Sequence, residues 1–162
     1  MMEINSRALC RTVVLAMISL FHLAEPFSKM DLTPACNSMT PGHGFQPQSS
    51  PPPFQLVANR DGDGKFTVTL STLDGTQFEG FFIQARNQND VQVGAFHDAD
   101  PTARIIECPP GCAVQHDGEQ KRTQVSARWD PLTYRGPVQF RATVVQGFKT
   151  YWINLRNDQF VP

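Results

Sequence analysis

Charge is scarce in this sequence, and neither sign is in excess. Lys, Arg, Asp and Glu make up 18% of the 162 residues, and the formal net charge is −1. Phosphate backbones demand a clustered basic surplus, so nucleic acid is not an expected partner. Long apolar runs are missing as well. The longest, Val13-Val14-Leu15-Ala16-Met17-Ile18-Ser19-Leu20-Phe21, falls well short of the roughly 20 residues a membrane-crossing helix needs. No window sustains apolar residues at helical spacing. The signatures H-E-x-x-H, G-x-S-x-G, G-x-G-x-x-G and the P-loop do not occur, so neither an enzyme nor a cofactor is expected. N-x-[ST] is also absent, and N-glycosylation is not expected.

What the chain does have begins with an export signal. Arg7 and Arg11 precede the short apolar run, which fades at His22-Leu23-Ala24-Glu25-Pro26. That order of charge, apolar stretch and small-residue exit marks a secretory peptide. With cleavage after Ala24, residues 1–24 leave, 25–34 form a short tail, and 35–162 form one domain. The expected product is soluble, secreted and extracellular. It keeps 12 Lys+Arg against 14 Asp+Glu, a net −2.

Cys10 departs with the leader, so Cys36, Cys108 and Cys112 remain. An odd number suggests one bridge and one leftover thiol, and Cys36–Cys108 and Cys36–Cys112 are both open. Cys108 and Cys112 resemble a thiolate pair, but Pro109-Pro110-Gly111 is a stiff spacer unlike a zinc knuckle, and no metal is expected. Residues 31–53 carry Pro34, Pro41, Pro47, Pro51, Pro52 and Pro53. These prolines argue against helix and for an extended, polyproline-like conformation. Cys36 favours an arm fastened over the domain rather than a free linker.

From Phe54 onward the pattern is strand, turn, strand. Phe66, Val68 and Leu70 alternate with Thr67 and Thr69. Val125, Ala127 and Trp129 share a face, and so do Val138, Phe140, Ala142 and Val144. Phe81-Phe82-Ile83 is contiguous, as in a strand covered on both faces. Twelve phenylalanines suit such half-buried pleated surfaces. Eight or nine short strands at turn spacings of roughly 8–12 residues indicate an all-β fold of two packed sheets. A barrel would give much the same pattern.

The polar clusters read as turns. Asn59-Arg60-Asp61-Gly62-Asp63-Gly64 imitates the opening of a calcium loop, but its twelfth position is Leu70 in an alternating strand, so a hairpin turn is expected. His97-Asp98 and His116-Asp117 have no nucleophile elbow beside them, and His43 reads as a structural histidine. For ligand recognition, Tyr134 and Phe148 fall in predicted loops. Arg104, Lys121, Arg122, Arg135 and Lys149 supply positive charge for an anionic polymer. The binding candidates are therefore Arg104, Tyr134, Arg135, Phe148 and Lys149.

Several stretches in order resemble the reeler domain, the module also found in reelin and the spondins. They are Ala35-Cys36-Asn37-Ser38-Met39-Thr40-Pro41-Gly42-His43, Pro52-Pro53-Phe54, Phe78-Glu79-Gly80-Phe81-Phe82-Ile83-Gln84-Ala85-Arg86 and Val93-Gly94-Ala95-Phe96. Cys108 with His116, Ala127-Arg128-Trp129, the run from Val138 to Val145, and Tyr151-Trp152 complete the set. A short secreted chain of this kind is similar to insect defence proteins of the noduler-like group. The resemblance implies an immunoglobulin-like β-sandwich with the proline-rich arm in front. It also implies binding of microbial lipopolysaccharide, lipoteichoic acid or β-glucan, with the haemocyte surface as a further partner. The alternative it allows is an extracellular-matrix or cell-adhesion module. It implies a Cys36–Cys108 bridge that ties down the arm, while Cys112 departs from the family pattern.

Overall fold

The computed structural model describes residues 33–42, 44–158 and 160–161. The expected leader, most of the short tail and His43 lie outside these residues. Among these residues, nine strands follow one short 3-10 helix (Thr33–Cys36): β1 (Phe54–Gly62), β2 (Lys65–Thr72), β3 (Gly80–Arg86), β4 (Ala95–His97), β5 (Ala103–Cys108), β6 (Gly111–His116), β7 (Gln124–Asp130), β8 (Gln139–Gly147) and β9 (Thr150–Arg156). They form two antiparallel sheets, ordered β1-β2-β7-β4 and β5-β6-β3-β8-β9. Among the described residues, no helix is long and apolar enough to cross a membrane.

The alternating positions build the core as a sheet of period two requires. Phe66, Val68, Leu70, Val125, Ala127 and Trp129 point inward from one sheet, and Phe81, Ile83, Phe140, Ala142 and Val144 from the other. Phe140 is the hub: its ring lies 5.5 Å from that of Trp129, 5.8 Å from Phe66 and 6.2 Å from Phe96. Trp129 also donates from Nε1 to the Val93 carbonyl at 3.0 Å. Gly94, at φ +66°, lets the chain pass over the indole, for a Cβ there would stand 2.3 Å from Trp129 Cζ2.

Every residue of β3 is buried, because its outer face is covered too. The arm lies across that face. Cys36 is bonded to Cys108, and its carbonyl accepts from Gln84 Nε2 at 2.8 Å, Arg86 Nη2 at 2.8 Å and Gln92 Nε2 at 3.2 Å. Further along, Thr143 Oγ1 donates to the Met39 carbonyl at 2.5 Å, and the Tyr151 hydroxyl donates to the Phe45 carbonyl. The Gln48 amide then bonds the Tyr151 carbonyl at 2.8 Å, and Trp152 Nε1 bonds that of Ser50 at 3.0 Å. Cys36, Met39, Phe82, Cys108 and Ala113 form a second apolar cluster beneath the arm.

Several boundaries differ from the sequence expectation. The proline-rich arm was expected to hold no helix, yet Thr33–Cys36 makes one 3-10 turn. Pro34 fits there, since a first-turn residue needs no amide donor. The strand carrying Phe81-Phe82-Ile83 begins at Gly80, with Phe78 ahead of it joined to Arg122 in an isolated bridge. Likewise Gln92 pairs only in a bridge to Arg86, and β4 is confined to Ala95–His97.

Candidate binding cleft

The register places the β1–β2 turn and the β7–β8 loop at one end of the sandwich, since Arg60 pairs with Phe66 and Phe66 with Trp129. Phe54, Leu56, Ala58 and Arg60 occupy alternate positions of β1, and the first two are buried. Arg60 therefore continues the inward face beyond the point where the sheets close on each other. Its guanidinium stands 5.6 Å from the centre of the Phe66 ring, a cation–π arrangement. The turn is made by Gly62, Asp63 and Gly64 at φ +116°, +48° and +74°; glycine and aspartate tolerate this left-handed region best.

The facing loop is shaped by its own hydrogen bonds. Asp130 Oδ1 accepts from the Leu132 amide at 2.8 Å, and the Tyr134 amide donates to the Pro131 carbonyl at 2.9 Å. The Leu132 amide, followed by Lys65 Nζ at 3.0 Å, holds the Asp130 carboxyl below its ordinary range. Tyr134 donates from its hydroxyl to the Pro137 carbonyl at 2.9 Å, over a bare Gly136, where a Cβ would stand 2.4 Å from the Tyr134 hydroxyl oxygen. Arg135 Nη1 bonds the carbonyls of Leu132 at 2.6 Å and Tyr134 at 2.8 Å.

Between hairpin and loop opens a cleft of about 430 Å³, lined by Arg60, Asp63, Phe66, Trp129, Tyr134 and Arg135 among others. That volume falls within the usual range of small-ligand sites. Two guanidinium groups offer donors to an anion or a hydroxyl, Asp63 offers an acceptor, and the ring edges provide an apolar floor.

The five sequence candidates do not form one site. Tyr134 and Arg135 line the cleft. Phe148 and Lys149 follow the last residue of β8, at the opposite end of the sandwich. Arg104 sits on β5 opposite Gln115, on the outer face of the five-stranded sheet. With the Gln115 amide oxygen turned toward it, Arg104 Nε donates at 2.6 Å. Arg122, expected to be available in a loop, is buried over the Phe81 ring with 5.1 Å between cation and ring centre. Sequence reading missed Arg60, although its signal was present: an inward-facing alternation that ends on a cation.

The segment that imitates a calcium loop is engaged structurally. Asp61 accepts from Thr67 Oγ1 at 2.7 Å and pairs with Arg128 at 3.6 Å, so the segment that imitates a calcium loop is a hairpin turn. Among the described residues no three His, Cys, Asp or Glu side chains gather as metal ligands. Cys108 is consumed by the disulfide, and Cys112 is a half-buried free thiol. Burial pushes the Cys112 thiol up, opposed by the Phe96 amide that donates to its sulfur at 3.0 Å.

The profile of the Reeler domain matches residues 34–161. The chain belongs to the reeler domain family. Among relatives of this reeler chain, a Bombyx mori protein, by name a defense protein, is 33% identical over 162 residues, which span 92% of each chain. A Danio rerio relative named for ferric-chelate reductase 1 is 30% identical over 158 residues, covering 92% of this chain but 27% of the relative. The chain thus spans about a quarter of the length of that reductase. The crystal structure of the human F-spondin reeler domain superposes with a TM-score of 0.58 at 23% identity, over 73% of this chain and 95% of that one; the two share the fold.

Proposed function

We propose that this reeler domain is a secreted innate-immune defence protein that binds microbial surface components: lipopolysaccharide, lipoteichoic acid or β-glucan. The observation that carries the reading is the match to the Bombyx mori defense protein over 92% of both chains. The cleft between Arg60 and Arg135 is the proposed saccharide-binding face. Its guanidinium groups suit the phosphates and hydroxyls of such polymers, and Tyr134 suits the apolar face of a sugar ring. Binding to a repeating polymer gains from many weak contacts in parallel, so modest affinity per site suffices to hold a microbe. Nodule formation by haemocytes is the proposed consequence.

The test is pull-down of the protein recovered from the medium of expressing cells, using lipopolysaccharide, lipoteichoic acid and particulate β-glucan. Retention on at least one is expected, and the double variant R60A/R135A should lose roughly tenfold or more in affinity. Failure on all three, with preferential retention on heparin or host cells, would replace this reading by the matrix-adhesion one.

A further inference from the structure

We propose that Phe148, Phe45 and Lys149 form an anchor for anionic lipid surfaces, at the end of the sandwich away from the cleft. Phe148 is 62% exposed, Phe45 39% and Phe160 36%, whereas Phe54, Phe66, Phe78, Phe81, Phe82, Phe96 and Phe140 are all buried. The rings of Phe148 and Phe45 meet edge to face with centres 5.6 Å apart. One comes from the β8–β9 turn and the other from the arm, so chains far apart in sequence build a single apolar tip.

The tip is held in place before any ligand arrives. Tyr151, fully buried, donates its hydroxyl to the Phe45 carbonyl, and the Gln48 amide bonds the Tyr151 carbonyl at 2.8 Å. An exposed aromatic pair fixed in this manner marks a contact surface. Lys149 identifies the partner. Its Nζ stands 5.3 Å from the centre of the Phe45 ring, which places a cation at the margin of the apolar tip. The flanking side chains in sequence, Gln46, Gln48, Gln146 and Thr150, carry no charge. Glu79 lies at the base of the turn, its Oε1 3.9 Å from where a Cβ on Gly147 would stand.

Rings that enter the headgroup boundary beside a cation that meets headgroup phosphate are the pattern of an interfacial anchor. A second copy of the chain fits less well, because a two-fold contact through this tip would set Lys149 against Lys149. A neutral glycan could accept a hydrogen bond from the ammonium group but would leave its charge unmatched. The inference goes beyond the proposed function and concerns different residues from the cleft.

The experiment is co-sedimentation of the exported protein with phosphatidylcholine vesicles, with and without phosphatidylglycerol. Binding is expected to need the anionic lipid and to weaken with salt. F148S and F45S should each reduce it roughly ten- to hundredfold, and K149Q about fivefold. R60A/R135A should leave it unchanged. In F148W, emission should shift to the blue on anionic vesicles, and brominated acyl chains should quench it. F148S, F45S, K149Q and F148W should keep the parent's melting temperature and its retention on β-glucan, which has no acyl chain. No vesicle binding, equal binding to neutral vesicles, unaltered binding by F148S, or a loss of self-association in F148S in place of vesicle binding would each overturn the proposal. None of these results bears on recognition through the cleft.

Discussion

Arg86 holds the carbonyl of Cys36 at 2.8 Å through Nη2, and the same nitrogen reaches the Asn37 carbonyl at 3.0 Å. The guanidinium is buried beneath the arm, with Gln84 Oε1 accepting from Nε at 2.9 Å and Asp90 Oδ2 pairing with Nη1 at 3.1 Å. One planar fork thus joins the arm, β3 and the β3–β4 turn. Burial lowers its pKa, opposed first by the Asp90 charge, yet an arginine stays protonated at any physiological pH. Replacing Arg86 by Met leaves several acceptors short of a donor and should cost about 2–4 kcal/mol. Arg86→Lys should recover little of this, since an ammonium cannot reproduce the fork. Urea unfolding of the two variants checks both expectations.

The Cys36–Cys108 disulfide closes a loop with a sequence separation of 72. Its removal in C36A/C108A should cost about 2–5 kcal/mol. Combined with Arg86→Met, the loss should be smaller than additive, because both features secure the same short segment of arm. A double-mutant cycle in urea measures the coupling. Fully additive losses would mean that the bridge and the guanidinium act on independent parts of the fold.

His116 makes stability depend on pH. Burial lowers its pKa; the Phe81 backbone bond opposes this, Arg122 and Arg104 add to the lowering, and Asp117 pulls upward. The unfolded chain therefore binds the proton more readily than the folded one. Stability is complete above the unfolded value of about 6.5 and falls as the pH drops from there toward the lower folded value. Urea midpoints measured across that window should decline, and His116→Gln should flatten the decline. A midpoint independent of His116 would refute the assignment.

Gly94 has no room for a side chain. Alanine would bring Cβ to 2.3 Å from Trp129 Cζ2 and 2.6 Å from the Asp130 carbonyl, at a φ of +66°. Gly94→Ala should cost more than about 2 kcal/mol. It should also red-shift the indole emission as Trp129 is displaced, which fluorescence and thermal melting will register together.

Cys112 should react slowly. The thiol is half-buried and burial raises its pKa, so little nucleophilic thiolate is present at neutral pH. A chromogenic disulfide reagent should label it sluggishly in the native protein and rapidly in urea. Prompt native labelling would contradict this environment.

The strand pattern was readable because a pleated strand repeats every two residues. Phe66, Val68 and Leu70 announced a buried face in their spacing alone, and so did Val125, Ala127 and Trp129. Phe81-Phe82-Ile83 announced a strand covered on both sides, but not what covers it. The binding candidates fared differently. Tyr134 and Arg135 are neighbours in sequence and stay together in the cleft, while Arg60 joins them only through the pairing of β1 with β2. Arg122 looked like a loop cation and is buried, because its bridge to Phe78 turns it over the Phe81 ring.

The order of side chains alone determined a chain of short strands, the turns and the presence of a proline-rich lead-in, since each follows from local periodicity and backbone preference; strand pairing decided for two sheets over a barrel. Only the folded chain decided that the arm crosses the five-stranded sheet. It alone decided that Arg60 faces Arg135 across a cleft, and that Phe45 meets Phe148. Those pairs are separated by tens of residues, and their distances depend on which strands share hydrogen bonds, something no local pattern encodes.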